Sequence, residues 1–398
     1  MTQKNIVLIT ILILIAGAIF YLQSEKVDMS PDDVVRQELV LNGDSCENGS
    51  CASRTIPANA TSSSSALNSV LPDRQAILKQ KATRYYPSVE IVDPKGFINT
   101  GNINLASLVG KKVILIDFWT FSCINCIRTI PYLNAWYSKY KDKGFVIIGL
   151  HAPEFSFERD YENVVEHVRK YGIEYPVVLD NNFATWNAYG NNSWPSKYLI
   201  DIDGFVIHHT IGERRYAETE QEIQRALKER AEALGENTEI PSDIAKPAVQ
   251  NVDYGKIGSP EIYFGSARNE FLGNGSPQGT QTLVYPSEVK LNKLYLSGTW
   301  KFDAQFTENE SADAKIVFRY RAKSVYIVGS AENPVSLTIL RDGKPVDAEA
   351  GEDVHSGKVI VQEDRLYKLI DDPVGYGEHT LEIIIDKPGF KAFTFTFG

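Results

Sequence analysis

FWTFSCINCIRTIP, residues 118–131, sets two cysteines two apart between an aromatic-rich apolar run and a proline. Such a pair is a redox couple, a structural disulfide or half of a metal site, and its surroundings choose among these. The preceding run VILIDFW (113–119) is continuously apolar except for one acid, the pattern of a buried strand. A helix is expected to start at the cysteines and run to about residue 143, with Leu133, Trp136, Tyr137 and Tyr140 at helical spacing. A helix start offers free N–H groups and a partial positive charge, which favour a thiolate at Cys123. Cys126, one turn on, can then attack a mixed disulfide and release the product. Zinc would need four ligands, and the other close pair, Cys46 and Cys51, lies in a stretch with no core-forming pattern. Asp117 sits inside the apolar run. Burial would raise its pKa and let it act as base for Cys126.

Working outward, FVIIGLHA (145–152) and YPVVLD (175–180) read as further buried strands, and FERDYENVVEHVRKYG (157–172) as a helix with Val164, Val165, Val168 and Tyr171 on one side. KYLIDIDGFVIHHTIG (197–212) reads as two strands joined by a turn at Asp203-Gly204, and residues 218–235 as an amphipathic helix ended by glycine. Early β–α–β alternation implies parallel pairing, and the late hairpin an antiparallel edge. His208 and His209 are adjacent in a strand, so they point to opposite faces and do not chelate one metal together.

Beyond about residue 261 strands dominate, with a hairpin turn at Asp342-Gly343. FKAFTFTFG (390–398) alternates strictly, which predicts Phe393, Phe395 and Phe397 on an inward face and Thr394 and Thr396 outward. The expected fold class is an α/β domain followed by an all-β sandwich of jelly-roll kind. Trp300, Tyr263 and Tyr295 are aromatic candidates for a sugar platform, although strand aromatics more often fill a core.

The chain has 398 residues and a net charge of −10, which argues against a nucleic-acid partner or a basic membrane-binding patch. Residues 6–22 form an uncharged apolar run about long enough to span a bilayer as a helix. A signal peptide cut after AGA (16–18) is one reading; the continuation IFYL favours an uncleaved anchor. Either implies export, and two close cysteine pairs suit an oxidising or redox-managed compartment. The division expected is a transmembrane signal-anchor over 1–24, a flexible linker over 25–84 containing ANATSSSSALNS, the α/β domain over 85–235, a second linker over 236–260 and the sandwich over 261–398. Cys46 and Cys51 form either a small local disulfide loop or a second redox pair.

With these residues in view, IDFWTFSCINCIRTIP resembles the active-site strand and helix of the thioredoxin superfamily. The resemblance places the buried acid at Asp117, Phe-Trp at Phe118 and Trp119, the helix proline at Pro131, and a cis-proline facing the disulfide at Pro195, preceded by Trp194. The long span from Cys126 to Pro195 is similar to the TlpA-like branch. HAPEFSFE, NNSWPSKYLID, HHTIGE, YFGSAR and KAFTFTFG together resemble the soluble C-terminal part of DipZ-type proteins, a thioredoxin-like domain followed by a sandwich likened to carbohydrate-binding modules.

The resemblance implies a thiol–disulfide oxidoreductase with a redox-active Cys123–Cys126 disulfide. Cys123 attacks, Cys126 resolves and Asp117 accepts the proton, with Glu154 sharing or replacing it. Trp119, Trp194 and Pro195 shape the substrate groove. Substrates would be disulfide-bearing proteins or cytochrome c maturation partners. No cofactor or metal is expected. A membrane electron donor of the CcdA/DsbD type would resupply electrons to catalytic domains on the extracytoplasmic side of a single-pass anchor. Ile124-Asn125 is neither the Gly-Pro of thioredoxin nor the Pro-His of strong oxidants, and the residues themselves do not fix the direction of transfer. One alternative is a binding module whose sandwich recognises a glycan or protein. Another is a peroxiredoxin-like peroxidase from Thr120-x-x-Cys123, where Ile116 stands in place of the proline that pattern wants. The sandwich is expected to pack against the thioredoxin-like domain and help position substrate.

Overall fold

A computed structural model describes residues 64–249 and 252–398. The expected anchor and the Cys46–Cys51 pair lie outside the described residues. Among the described residues, no helix is long and apolar enough to cross a membrane.

The α/β domain is built on strands β1 (Tyr86–Pro87), β2 (Phe97–Ile98), β3 (Val113–Trp119), β4 (Phe145–His151), β5 (Val177–Leu179), β6 (Ser196–Ile200) and β7 (Phe205–Ile211), in the order β1-β7-β6-β3-β4-β5-β2. The β3–β4 and β4–β5 pairs are parallel, and β6 joins β3 antiparallel, followed by antiparallel β7. Helices are α1 (Ser64–Arg84), α2 (Ile124–Tyr140), α3 (Tyr161–Lys170), α4 (Ala184–Ala188) and α5 (Tyr216–Leu234). Alternate residues of β3 serve two cores. Val113, Leu115 and Trp119 meet Leu133, Trp136 and Tyr140 of α2 and Ile223 and Leu227 of α5. Ile114, Ile116 and Phe118 meet Trp186 of α4 and Tyr198 on the other face. A strand buried on both faces loses the polar/apolar alternation, which is why VILIDFW is continuous. Burying a side chain the size of Leu133 stabilises by about 2 kcal/mol. After α2 a 3₁₀ turn (Lys141–Lys143) leads to Gly144 at φ 91°; a Cβ there would lie 2.3 Å from Arg230 Nε, so the site needs glycine for both space and conformation.

Two expectations are corrected here. Residues 64–84, read as the end of a flexible linker, are helical: the polar run overlaps the first turns, and helix formers such as Ala76, Leu78, Gln80 and Lys81 carry the helix on. The helix is held by charge: Lys81 Nζ donates to Asp201 at 2.6 Å and Asp203 at 2.7 Å and also pairs with Glu229, while Arg74 pairs with Asp203. Asp201, Asp203 and Glu229 have metal-ligand spacing, but this ammonium fills the space between them.

The C-terminal domain is all-β among the described residues: β8 (Ile262–Tyr263), β9 (Gly279–Leu283), β10 (Leu294–Phe302), β11 (Thr307–Asn309), β12 (Ala314–Ala322), β13 (Ser324–Ser330), β14 (Val335–Arg341), β15 (Lys344–Pro345), β16 (Lys358–Val361), β17 (Arg365–Asp371), β18 (Gly377–Ile385) and β19 (Lys391–Phe397). The order β15-β14-β18-β12-β10-β11-β19-β13-β17 folds round a core that includes Trp300, Phe318, Tyr320 and Ile383. Trp300 and Tyr295 are buried and offer no sugar platform. Asp342 (φ 52°) and Gly343 (φ 76°) make the expected tight hairpin.

The second correction concerns β19. Val328 pairs with Thr394 and the next residue, Gly329, pairs with Ala392, so Phe393 is the extra residue of a bulge. A bulge re-aims its side chain. Phe395 and Phe397 enter the sandwich core as expected. Phe393 instead packs with Val328 against Phe155 of the α/β domain, with ring centroids 5.0 Å from both Phe155 and Phe157.

Candidate active site

β3 ends at Trp119, and the turn Thr120–Ser122 delivers Cys123 to the N-cap of α2. Cys123 has extended backbone geometry (φ −79°, ψ 112°), and its Sγ accepts the Cys126 amide at 3.2 Å. Both thiols are free, Cys123 partly exposed and Cys126 buried. The Trp194–Pro195 peptide is cis, as the resemblance implied. Trp194 lines the same cavity as Cys123, and its Nε1 donates to Ala152 O at 3.0 Å. That cavity, about 560 Å³, has one wall from the α/β domain, including Cys123, Asn125 and Trp194, and another from the C-terminal domain, including Tyr263, Arg268 and Thr394.

Beneath the cysteines lies an unusual density of buried charge. Asp117 is 1% exposed, and its Oδ1 has no hydrogen-bond partner. Burial pushes its carboxyl up to about 7 against the opposing pull of Lys197. Lys197 lies opposite Asp117 in the β3–β6 register, fully buried, with Nζ donating to Gly212 O at 3.0 Å. Burial pushes this ammonium down, while Asp117 and then Cys126 pull it up. The Cys126 thiol is pushed well up by burial first, then by Cys123, with Asp117 adding in the same direction. Such a thiol stays protonated until a base takes its proton.

A second buried carboxylate stands behind the turn. Glu158 accepts from Ser122 Oγ at 2.6 Å and Ser122 N at 3.2 Å through one oxygen, and from Glu154 N at 2.6 Å and Phe155 N at 2.9 Å through the other. Burial pushes it up to about 7 against these hydrogen bonds. His151, buried beside Thr120 and edge-on to Trp119, is pushed down to about 3 by burial and is neutral.

Of the residues singled out by sequence, Cys123, Asn125, Glu154 and Trp194 come together on the cavity, with Asp117 beneath. Glu154 is turned towards the C-terminal domain: its Oε1 accepts from Tyr263 Oη at 2.9 Å and Arg268 Nη1 at 2.7 Å. Trp119 is a correction. It is fully buried, belongs to the core under α2 and does not line the groove, because it shares its strand face with Val113 and Leu115. His208 and His209 are apart as expected, bonded to Thr219 and Ser196 respectively.

Three contributors escaped the sequence reading. Lys197 carried a signal, a lone cation in the apolar strand SKYLI. Glu158 carried a weaker one, an acid three residues after Phe155 that closes the 3₁₀ turn Ser156–Arg159 on itself. Arg268 carried none, because its partner is 114 residues away.

The geometry is that of a thioredoxin-like dithiol, and comparison with known proteins agrees. Residues 86–209 match the AhpC/TSA family, and residues 259–398 match the family described as thioredoxin like C-terminal domain. ResA, the thiol-disulfide oxidoreductase of Bacillus anthracis, is 34% identical over 150 residues, covering 38% of this chain and 79% of ResA. The chain therefore belongs to the thioredoxin-like thiol–disulfide oxidoreductase family. Within it, the chain is DipZ-like: DipZ of Mycobacterium tuberculosis and of Mycobacterium bovis are each 38% identical over 308 residues, 76% of this chain. The chain spans 41% of the length of those DipZ proteins. A thioredoxin family thiol:disulfide interchange protein from Chlorobium tepidum aligns structurally at 24% identity and TM-score 0.32, covering 36% of this chain and 97% of that one.

Proposed function

We propose that the protein is an exported, membrane-tethered reductase of protein disulfides, working through a Cys123–Cys126 dithiol. The observation that carries this is Cys123 at the N-cap of α2 on an open cavity, with Cys126 buried behind it above Asp117. Cys123 thiolate attacks one sulfur of the substrate disulfide. The substrate S–S bond breaks, a mixed disulfide forms, and the departing thiolate takes a proton from solvent. Cys126 passes its proton to Asp117 and attacks Cys123 Sγ. The second substrate thiolate leaves, and the Cys123–Cys126 disulfide is the oxidised product. Two electrons have gone to substrate, and a donor dithiol, here a membrane protein of the CcdA/DsbD type, restores them by the same exchange. No cofactor enters these steps. Trp194, joined to Pro195 by a cis peptide, forms one lip of the groove. Glu154 faces the substrate side of the cavity, with its carboxylate held by Tyr263 and Arg268.

The apolar run at 6–22 supports the tether and extracytoplasmic placement, and cytochrome c maturation partners are among the disulfides such an enzyme would meet. The test is trapping. Cys126→Ser accumulates mixed disulfides through Cys123, and Cys123→Ser accumulates none. Equal trapping by both variants would overturn the assignment of roles. A strongly oxidising potential against a glutathione series would reverse the proposed direction.

A further inference from the structure

The exchange above does not use Glu158, yet both oxygens of this buried carboxylate are engaged twice over. It is 0% exposed, which is costly for an acid unless every lone pair is used. Its two oxygens divide the work. One holds Ser122, the residue before the nucleophile, through both its hydroxyl and its amide. The other holds the amides of Glu154 and Phe155. Both residues reach the C-terminal domain, Glu154 through Arg268 at 2.7 Å and Phe155 through the Phe393 ring at 5.0 Å, and the following Ser156 and Phe157 touch Gln305 and Phe393 as well. A single buried side chain thus ties the turn that presents Cys123 to the loop on which the second domain is docked.

We propose that Glu158 is a positioning residue through which docking of the C-terminal domain sets the geometry of Cys123. Movement of Arg268 or Phe393 displaces residues 154–155. Glu158 follows because its second oxygen is bonded to both amides, and its first oxygen carries the displacement to Ser122. Rigid hydrogen-bonded connections of this kind pass small shifts on, whereas a solvated loop would absorb them. This rests on Cys123 being the nucleophile.

The carboxylate is suited to the task because it offers acceptors on both sides. A glutamine of the same shape offers one oxygen and one NH₂, so either Ser122 or the 154–155 amides would face a donor.

The test is a double-mutant cycle on the full chain with Glu158→Gln and Arg268→Ala. The readout is the alkylation rate of Cys123 against pH, located by mass spectrometry of the peptide containing residues 123–126, together with the Cys123–Cys126 equilibrium against glutathione. Glu158→Gln is expected to displace the alkylation profile by about half a pH unit or to change its plateau about threefold. Arg268→Ala shifts it less, in the same direction. The double variant goes no further than Glu158→Gln alone. A Glu158→Gln protein that melts earlier with an unchanged profile and equilibrium overturns the proposal, and so does simple additivity in the cycle. Should Glu158→Gln not fold, Ser122→Ala replaces it, removing only the hydroxyl contact, and the same non-additivity with Arg268→Ala is required. The Cys123→Ser control separates the two levels. If its fast-reacting thiol persists at Cys126, the nucleophile assignment fails independently of Glu158.

Discussion

Lys197 stands directly across from Asp117 in neighbouring strands, both buried, and each opposes the shift that burial imposes on the other. Asp117, at about 7, is divided between acid and base near neutrality. Resolution of a preformed Cys123 mixed disulfide should therefore accelerate as pH rises through 7 and level off above it. Asp117→Asn should lose that inflection and slow the step about a hundredfold at pH 7. Stopped-flow release of a chromogenic thiol measures both. An Asp117→Asn profile that keeps the inflection would exclude Asp117 as the base.

The same shift has a sign in stability. The folded value of Asp117, about 7, lies above the ordinary 3.8, so the folded state holds the proton more tightly. The stability contributed is fully present below pH 3.8 and lost as pH rises through 7. Relative to wild type, Asp117→Asn should gain on the order of 2 kcal/mol between pH 5 and pH 8. Urea titrations of the two proteins at both values check this. A difference independent of pH would mean that Asp117 ionises normally.

Removing the ammonium should move the inflection that removing the acid abolishes. Lys197→Met leaves Asp117 with burial alone, so the inflection in resolution should move above 7, whereas Lys197→Arg should move it less. The pH profile distinguishes this from lost packing, which would lower the rate at every pH equally.

Phe393→Ala should cost about 3 kcal/mol, because the buried ring packs against Phe155, Phe157 and Phe306. Limited proteolysis in 236–249 should quicken. A variant as resistant as wild type would show that polar contacts alone hold the domains.

Lys81→Met should leave the buried Asp201 without its cation, while Asp203 keeps Arg74, and cost about 2 kcal/mol. Hydrogen exchange over 74–84 should rise. Unchanged protection would show that α1 is held by something other than this ammonium.

The strand–turn–helix that carries the cysteines was legible because each local signal agrees: VILIDFW must be buried, the helix has its apolar stripe, and the cysteines fall at the junction. Sequence did not reveal which side of a doubly buried strand each residue serves, so Trp119 was assigned to a groove when it lies in a core. Alternation in FTFTF reads as one register, and nothing in it announces a bulge. Lys197 stands out only as a lone cation in an apolar strand and Glu158 reads as an ordinary helix charge, because their partners come from β3 and from the turn before α2. Such partners exist only after folding. The helix at 64–84 is hidden by the polar run that overlaps its start.

The bulge in β19 has a genetic corollary. Loss of the Phe393 codon, between Ala392 and Thr394, would restore a regular ladder without removing a ring from the sandwich core, and would take away the β19 ring that packs against Phe155. The aromatic share of the contact between the two domains therefore depends on reading one strand with a residue to spare, beside the polar share supplied by Arg268, Tyr263 and Gln305. A three-nucleotide deletion at that point would be the shortest heritable route to a looser coupling of the two domains.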